Sequence, residues 1–172
     1  MSPFNIFPVD DTQLEALQTI ARETFFESYH QQNTPENMAS YLATYFNLER
    51  LGEELSNPES FFFFTQKQGE NVGYIKLNIG KAQTEQELPN ALEIERIYVR
   101  SPFQRRGIGK EMLHHAYSFA KSKAISMVWL GVWEENSKAI AFYESQGFEK
   151  FGKHLYVVGN EDQWDWMMRR EV

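Results

Sequence analysis

The chain has 172 residues, 42% of them hydrophobic, 24% charged and 15% aromatic, which is the composition and length of one core-forming domain spanning residues 1–172. A net charge of −7 argues against nucleic acid as a partner and suits a cationic one, and the absence of cysteine removes disulfides, thiolate metal sites and cysteine nucleophiles. No apolar run approaches the roughly 18 residues of a membrane helix, and MSPFNIFPVD is no secretory signal, so a cytoplasmic protein with no membrane contact is expected.

Phe4 to Val9 is a short apolar stretch with Pro8 near its end, the pattern of an edge strand. Asp11 or Thr12 can cap a helix carrying Leu14, Leu17, Ile20, Ala21, Thr24 and Phe25 at helical spacing. Thr34-Pro35-Glu36 is a second start signal, with Met38, Tyr41, Leu42, Tyr45 and Phe46 on the apolar face. A third helical piece spans Asn47 to Leu55, before Asn57-Pro58. Phe61 to Thr65, with four consecutive Phe, predicts a strand buried on both faces, followed by a turn over residues 66–71 and a return strand from Val72 to Ile79. Gly80 to Asn90 is polar and loop-like.

Leu92 to Val99 is the next central strand, and Gly107 to about Lys123 a helix with Ile108, Met112, Leu113, Ala116 and Ala120 on its apolar side. Met127 to Trp133 is a strand. Ser137 to Gln146 is a helix with Asn136 as its cap and Gly147 as its stop. His154 to Val158 and Gln163 to Met168 close the chain as a hairpin across Gly159-Asn160. This order predicts an α/β mixed sheet with helices on its faces, and a crossover helix between Leu92–Val99 and Met127–Trp133 makes those two strands parallel.

The segment Gln104-Arg105-Arg106-Gly107-Ile108-Gly109-Lys110 sits where a strand hands over to a helix. Glycines let backbone amides approach a ligand, and a helix N-terminus favours anions, so the loop suits a phosphate. On spacing alone it equally describes a basic surface turn. It is neither a Walker A loop nor a dinucleotide fingerprint. Glu93 and Glu95 alternate along the preceding strand and, by strict alternation, share a face with Ile97 and Val99. Acids on a central strand are functional candidates, or else they pair with Arg96 or Lys76. The four histidines show no metal-ligand spacing, so no metal is expected. Trp164, Trp166 and Met168 alternate on the last strand, for core packing or a homodimer contact.

The strand plus Gln-x-x-Gly-x-Gly loop resembles the acetyl-CoA signature of the GNAT family of N-acetyltransferases. A second segment, Trp129 through Asn136, Ala139-Ile140, Phe142-Tyr143 and Gly147-Phe148, is similar to that family's later strand and helix. Within the family the likeness is to the PaiA-type spermidine/spermine N-acetyltransferases, carried by Thr34 to Met38, Glu54 to Asn57, Leu92 to Tyr98 and Trp129 to Glu134.

The resemblance implies a GNAT fold. Its central mixed sheet would have about six to seven strands, helices on both faces, and a parallel strand pair splayed around acetyl-CoA. It implies direct acetyl transfer to a small-molecule primary amine, a polyamine above others, with a protein N-terminus, a lysine or an aminoglycoside as alternative acceptors. A non-catalytic acyl-CoA-binding regulator is the remaining alternative. Ile97, Tyr98 and Val99 would hold the pantetheine arm through their backbone. Gln104, Arg105, Arg106, Gly107, Ile108, Gly109 and Lys110 would hold the pyrophosphate, and Asn136 would bond the cofactor near the second helix. Tyr143 would be the acid for the leaving thiolate, since a phenol pKa of ~10 lies near a thiol's ~8.5. Glu93, ahead of Glu95, would be the base. Glu23, Glu27 and Tyr29 on the first helix would meet the cationic amine.

Overall fold

The computed structural model describes residues 2–158 and 161–172. Strand β1 (Asn5–Pro8) leads into a capped turn, where the Asp10 side chain accepts from Thr12 N–H and the Gln13 side chain accepts from Asp10 N–H. Three helices follow: α1 (Leu14–Tyr29), α2 (Pro35–Tyr45) and α3 (Leu48–Ser56). Thr34 and Asn47 cap the latter two by accepting the third amide, at 3.1 and 2.8 Å. Then come β2 (Ser60–Lys67), β3 (Glu70–Asn78), β4 (Leu92–Val99), α4 (Ile108–Ser122), β5 (Met127–Trp133), α5 (Ser137–Ser145), β6 (Glu149–Val158) and β7 (Glu161–Glu171).

The strands form one sheet in the order β1-β2-β3-β4-β5-β7-β6. Only the β4–β5 pair is parallel, as a crossover through α4 requires. Both strands of the final hairpin are longer than the sequence pattern indicates. A register shift between Lys150 and Gly152 breaks the polar-apolar alternation there and hides the start of β6. The Gly159-Asn160 turn lies outside the described residues.

Each face of the sheet carries its own core. Phe62, Phe64 and Tyr74 pack with Leu17, Phe25, Met38 and Leu51 of α1–α3. Phe63, Ile75, Leu92 and Ile94 pack with Ile108, Met112 and Leu113 of α4. The run of phenylalanines thus alternates between two cores, which is why no polar residue interrupts it.

One irregularity sets up the site. Lys76 pairs with Arg96 but Leu77 pairs with Ile94, so Glu95 is an extra residue bulged out of β4. The bulge shifts the phase of the strand. Leu92, Ile94, Ile97 and Val99 all reach the α4 core, while Tyr98 packs on the α1–α3 side. Strict alternation, which groups Glu93 and Glu95 with Ile97 and Val99, is therefore corrected: the acids look toward α1–α3 and those aliphatics look away.

Candidate active site

Partners between β4 and β5 end at Ile94 opposite Leu130. β4 continues to Val99 and β5 to Trp133, so the two strands diverge and, among the described residues, the β5-facing edge of β4 has no strand partner beyond Ile94. The wedge between them is a cavity of about 500 Å³ lined by Ile97, Tyr98, Val99, Gln104, Asn136 and Tyr143, among others. The loop at its mouth is tied to the strand: Gln104 Nε2 donates to the Val99 carbonyl at 3.0 Å.

The loop ends at Gly107, the N-cap of α4, with φ of 82°. A glycine cap has no side chain to satisfy the first amides of the helix, so those of Ile108, Gly109 and Lys110 stay free for an anion. A Cβ at Gly107 would meet nothing within 4 Å, so the space beside the cap is open. Arg105 (φ 61°) also adopts the left-handed conformation, and Arg105, Arg106 and Lys110 are exposed beside the helix end. A diphosphate fits this cradle in charge and in hydrogen-bond donors. On the far side of the wedge, Asn136 caps α5, its Oδ1 accepting from Ala139 N–H at 3.2 Å.

Tyr143 projects from α5 into the same cavity. Burial, then the neighbouring Tyr98 and Tyr117 phenols, raises its pKa above the ordinary value, so it stays protonated at every physiological pH. Its ring packs on Phe142 and Phe148 at centroid distances of 5.4 and 5.8 Å. Its hydroxyl has no protein partner among the described residues.

A second cavity of about 380 Å³ adjoins the first, and Tyr29, Glu95, Tyr98, Gly131 and Asp165 border both. Its walls hold the rings of Phe25, Tyr41, Tyr45, Phe46 and Tyr156, with the carboxylates of Glu54, Glu85, Glu93, Glu95 and Asp165 against Arg50 and Arg96. The hydroxyls of Tyr41 and Tyr156 hydrogen-bond to each other, and Tyr29 and Tyr98 stand beside them at the junction. Burial pushes all four phenols up, and none ionises near neutrality.

The two strand acids differ in company. Glu93 is 2% exposed and accepts from Asn78 Nδ2 (3.0 Å), Thr84 N–H (2.8 Å) and Thr84 Oγ1 (2.5 Å). Burial, then the charge of Glu95, raises its pKa in spite of these donors. Glu95 forms an ion pair with Lys76 and lies 3.8 Å from Arg96 Nε. It borders both cavities, whereas Glu93 borders only the second. Tyr29 reaches the junction as well. Glu23 and Glu27 do not. Glu23 pairs with Arg100 (3.1 Å), and Glu27 accepts from Ser101 N–H (2.8 Å) and Oγ (2.7 Å). They fasten α1 to the segment after β4, because their turn of the helix faces that loop and not the cavity.

Sequence reasoning did not find Asp165 or His154. Asp165 stands between Trp164 and Trp166 and takes the opposite face of β7, a placement that period-2 alternation does signal. Its meeting with His154 follows from the β6–β7 register. Among the described residues, no group of His, Cys, Asp or Glu is arranged to hold a metal ion, and no helix is long and apolar enough to cross a membrane.

The chain has relatives among known proteins. Residues 14–148 match the family model described as the acetyltransferase (GNAT) family. The chain is 41% identical over 172 residues to an uncharacterized N-acetyltransferase of Lactobacillus delbrueckii subsp. lactis, covering 100% of this chain and 99% of that one. It is 28% identical over 140 residues to a spermidine N(1)-acetyltransferase of Thermoplasma acidophilum, 79% of this chain and 82% of the relative. Its structure superposes on the PaiA N-acetyltransferase of Thermoplasma acidophilum in complex with coenzyme A with a TM-score of 0.80, at 25% identity and full coverage of both chains.

Proposed function

This chain belongs to the GNAT family of acetyltransferases, and we propose from that premise that it transfers acetyl from acetyl-CoA directly to a primary amine of a polyamine. The observation that carries this reading is the shared wall of the two cavities. One cavity suits a long thioester with a diphosphate at its mouth. The other, aromatic and lined by more carboxylates than guanidiniums, suits a flexible cation. The relation to a spermidine N(1)-acetyltransferase supports the same class of acceptor.

The co-substrate supplies an activated acetyl group; the chain's own residues orient it and move protons. The unpaired edge of β4 from Ile97 to Val99 would hold the pantetheine arm as an added strand. An amide near Tyr98 would donate to the thioester oxygen, whose charge grows in the transition state. Gln104 would brace the loop, and Arg105 through Lys110 would hold the diphosphate. Asn136 would bond the arm through its free Nδ2. Tyr143, always protonated, would donate to the departing sulfur. Glu95 and Asp165 at the junction would attract the ammonium, and holding both reactants in one frame supplies much of the rate.

Thiol release with acetyl-CoA against spermidine, spermine, a lysine peptide, an N-terminal alanine peptide and an aminoglycoside tests the reading. A polyamine is expected to exceed the others at least tenfold in kcat/KM. A peptide or aminoglycoside turned over faster than either polyamine would overturn it.

A further inference from the structure

Most acids of the second cavity are already engaged by the protein. Glu54 and Glu95 are matched by Lys76 and Arg96. Glu93 is filled by Asn78 and Thr84. Asp165 and Glu85 are different: among the described residues neither meets a lysine or arginine, and both meet His154. Glu85 Oε1 lies 3.1 Å from His154 Nδ1, and Asp165 Oδ2 lies 3.5 Å from Nε2.

These distances assign roles to the two ring nitrogens. The Glu85 contact is a hydrogen bond and the Asp165 contact is too long for a good one. A neutral ring donating Nδ1–H to Glu85 leaves a lone pair on Nε2, facing a carboxylate with no hydrogen between them. Two acceptors side by side with no donor between them are a seat for an N–H cation that bridges both.

The backbone opposite is bare. A Cβ at Gly131 would stand 2.9 Å from His154 Nε2 and 3.4 Å from Asp165 Oδ2. Glycine on β5 therefore lets the backbone pass close beside the pair, while His154 and Asp165 both line the second cavity and Asp165, like Gly131, borders the first as well.

Resting on the acetyl-transfer reading, we propose that Asp165 seats the acceptor ammonium and that His154 Nε2 is the base that deprotonates it. The ammonium carries three protons. His154 takes one, and the imidazolium passes its Nδ1 proton to Glu85, whose side chain is 37% exposed, and so to solvent. The freed nitrogen lone pair forms the C–N bond to the thioester carbon and the C–S bond breaks. The second proton that nitrogen sheds balances the one delivered to sulfur. Amide, thiol and one solvent proton result.

His154 must be neutral to accept. The neighbouring Asp165 carboxylate raises its pKa above the ordinary 6.5, burial opposes this, and Glu85 adds to the rise. Across the cavity stand Glu93, Glu95, Arg96 and Tyr41. A basic shift in an acid–base residue appears as an acid limb in kcat/KM, with rate lost as pH falls through the His154 pKa.

The test is the pH profile of kcat/KM for the acceptor, in wild type, His154→Gln and Asp165→Asn, beside NMR titration of the His154 ring in the wild-type protein. His154→Gln is expected to lose on the order of 10²–10⁴-fold in kcat and to lose the acid limb. Asp165→Asn should move the limb to lower pH and raise the acceptor KM. The NMR midpoint should coincide with the wild-type limb, a readout that holds even if a variant fails to fold. His154→Gln within threefold of wild type, or an NMR midpoint more than one pH unit from the limb, would overturn the assignment while leaving acetyl transfer intact. A wild-type protein that releases no thiol with any amine overturns both.

Discussion

Arg96 grips Glu54 with both arms of its guanidinium, Nη1 2.9 Å from Oε2 and Nη2 3.1 Å from Oε1, and so fastens α3 to the bulged strand β4. Lys76 joins them at 3.3 Å, and these side chains are 15% exposed or less. The bulge brings Arg96 onto the α1–α3 side next to Glu95, and the cluster Glu54–Lys76–Glu95–Arg96 is what neutralises them there.

Glu54→Gln leaves two buried cations to share Glu95. Breaking one partner of a fully buried pair costs ~3–5 kcal/mol. Here Gln keeps a hydrogen bond and Glu95 remains, so about 2–3 kcal/mol is expected, or roughly 5–10 °C in Tm for a chain of this size. Burial works to raise the Glu54 pKa, but Arg96 and Lys76 overcome it and hold the carboxyl below its ordinary value. A depressed folded pKa means that this stability is present above ~4.3 and is lost as pH falls through the folded value. Urea titrations at pH 7 and pH 3 check both points: the gap between wild type and variant should shrink at the lower pH.

Tyr143→Phe removes a hydroxyl that no protein group needs. Stability should move by less than about 0.5 kcal/mol. If the phenol donates to the departing sulfur, kcat should fall ~10²–10⁴-fold with the acetyl-CoA KM within threefold of wild type. Steady-state kinetics of both parameters check it. An unchanged kcat, in a variant whose chemistry is shown to be rate-limiting, removes Tyr143 from the acid role.

Most of the fold was written in local signals. Thr34 and Asn47 cap the helices that follow them, Gly107 and Gly147 take the positive φ values their positions suggested, and four Phe in a row marked a strand between two cores. The bulge was legible too, in retrospect. Apolar residues fall on Leu92 and Ile94, then on Ile97 and Val99, a slip of one position that a straight strand cannot place on one face. What no local pattern carries is company. Glu93 meets Thr84, Glu95 meets Lys76, and His154 meets Glu85 and Asp165, across separations that only the sheet order brings together. Glu23 and Glu27 have the right charge on the right helix, but Arg100 and Ser101 claim them.

Gly107→Ala probes the cradle. No atom lies within 4 Å of the added methyl, so the cost is conformational: a left-handed residue with a Cβ costs roughly 1–2 kcal/mol, seen as a Tm drop of about 2–8 °C. If the helix relaxes to relieve the strain, the amides of Ile108 to Lys110 shift. The acetyl-CoA KM should then rise severalfold while the amine KM holds. Equal changes in both would place the effect outside the diphosphate cradle.

Glu93→Gln separates burial from catalysis. The Glu93 carboxyl is raised by burial and by Glu95, so the folded chain binds its proton more tightly than the unfolded chain does. The sign is opposite to that of Glu54. Folding is favoured most below ~4.3, and stability is lost as pH rises through the folded value. Glutamine has the same shape, carries no charge to desolvate and still accepts from the Thr84 amide. The variant should therefore be at least as stable as wild type at pH 8, by thermal melting, and should lose its advantage toward pH 4. Its kcat is expected to stay within about fivefold of wild type, because a carboxylate already accepting three hydrogen bonds is a poor base. Were Glu93 the proton acceptor instead, kcat would drop by the ~10²–10⁴ typical of a lost general base, with the acid limb of the pH profile lost at the same time.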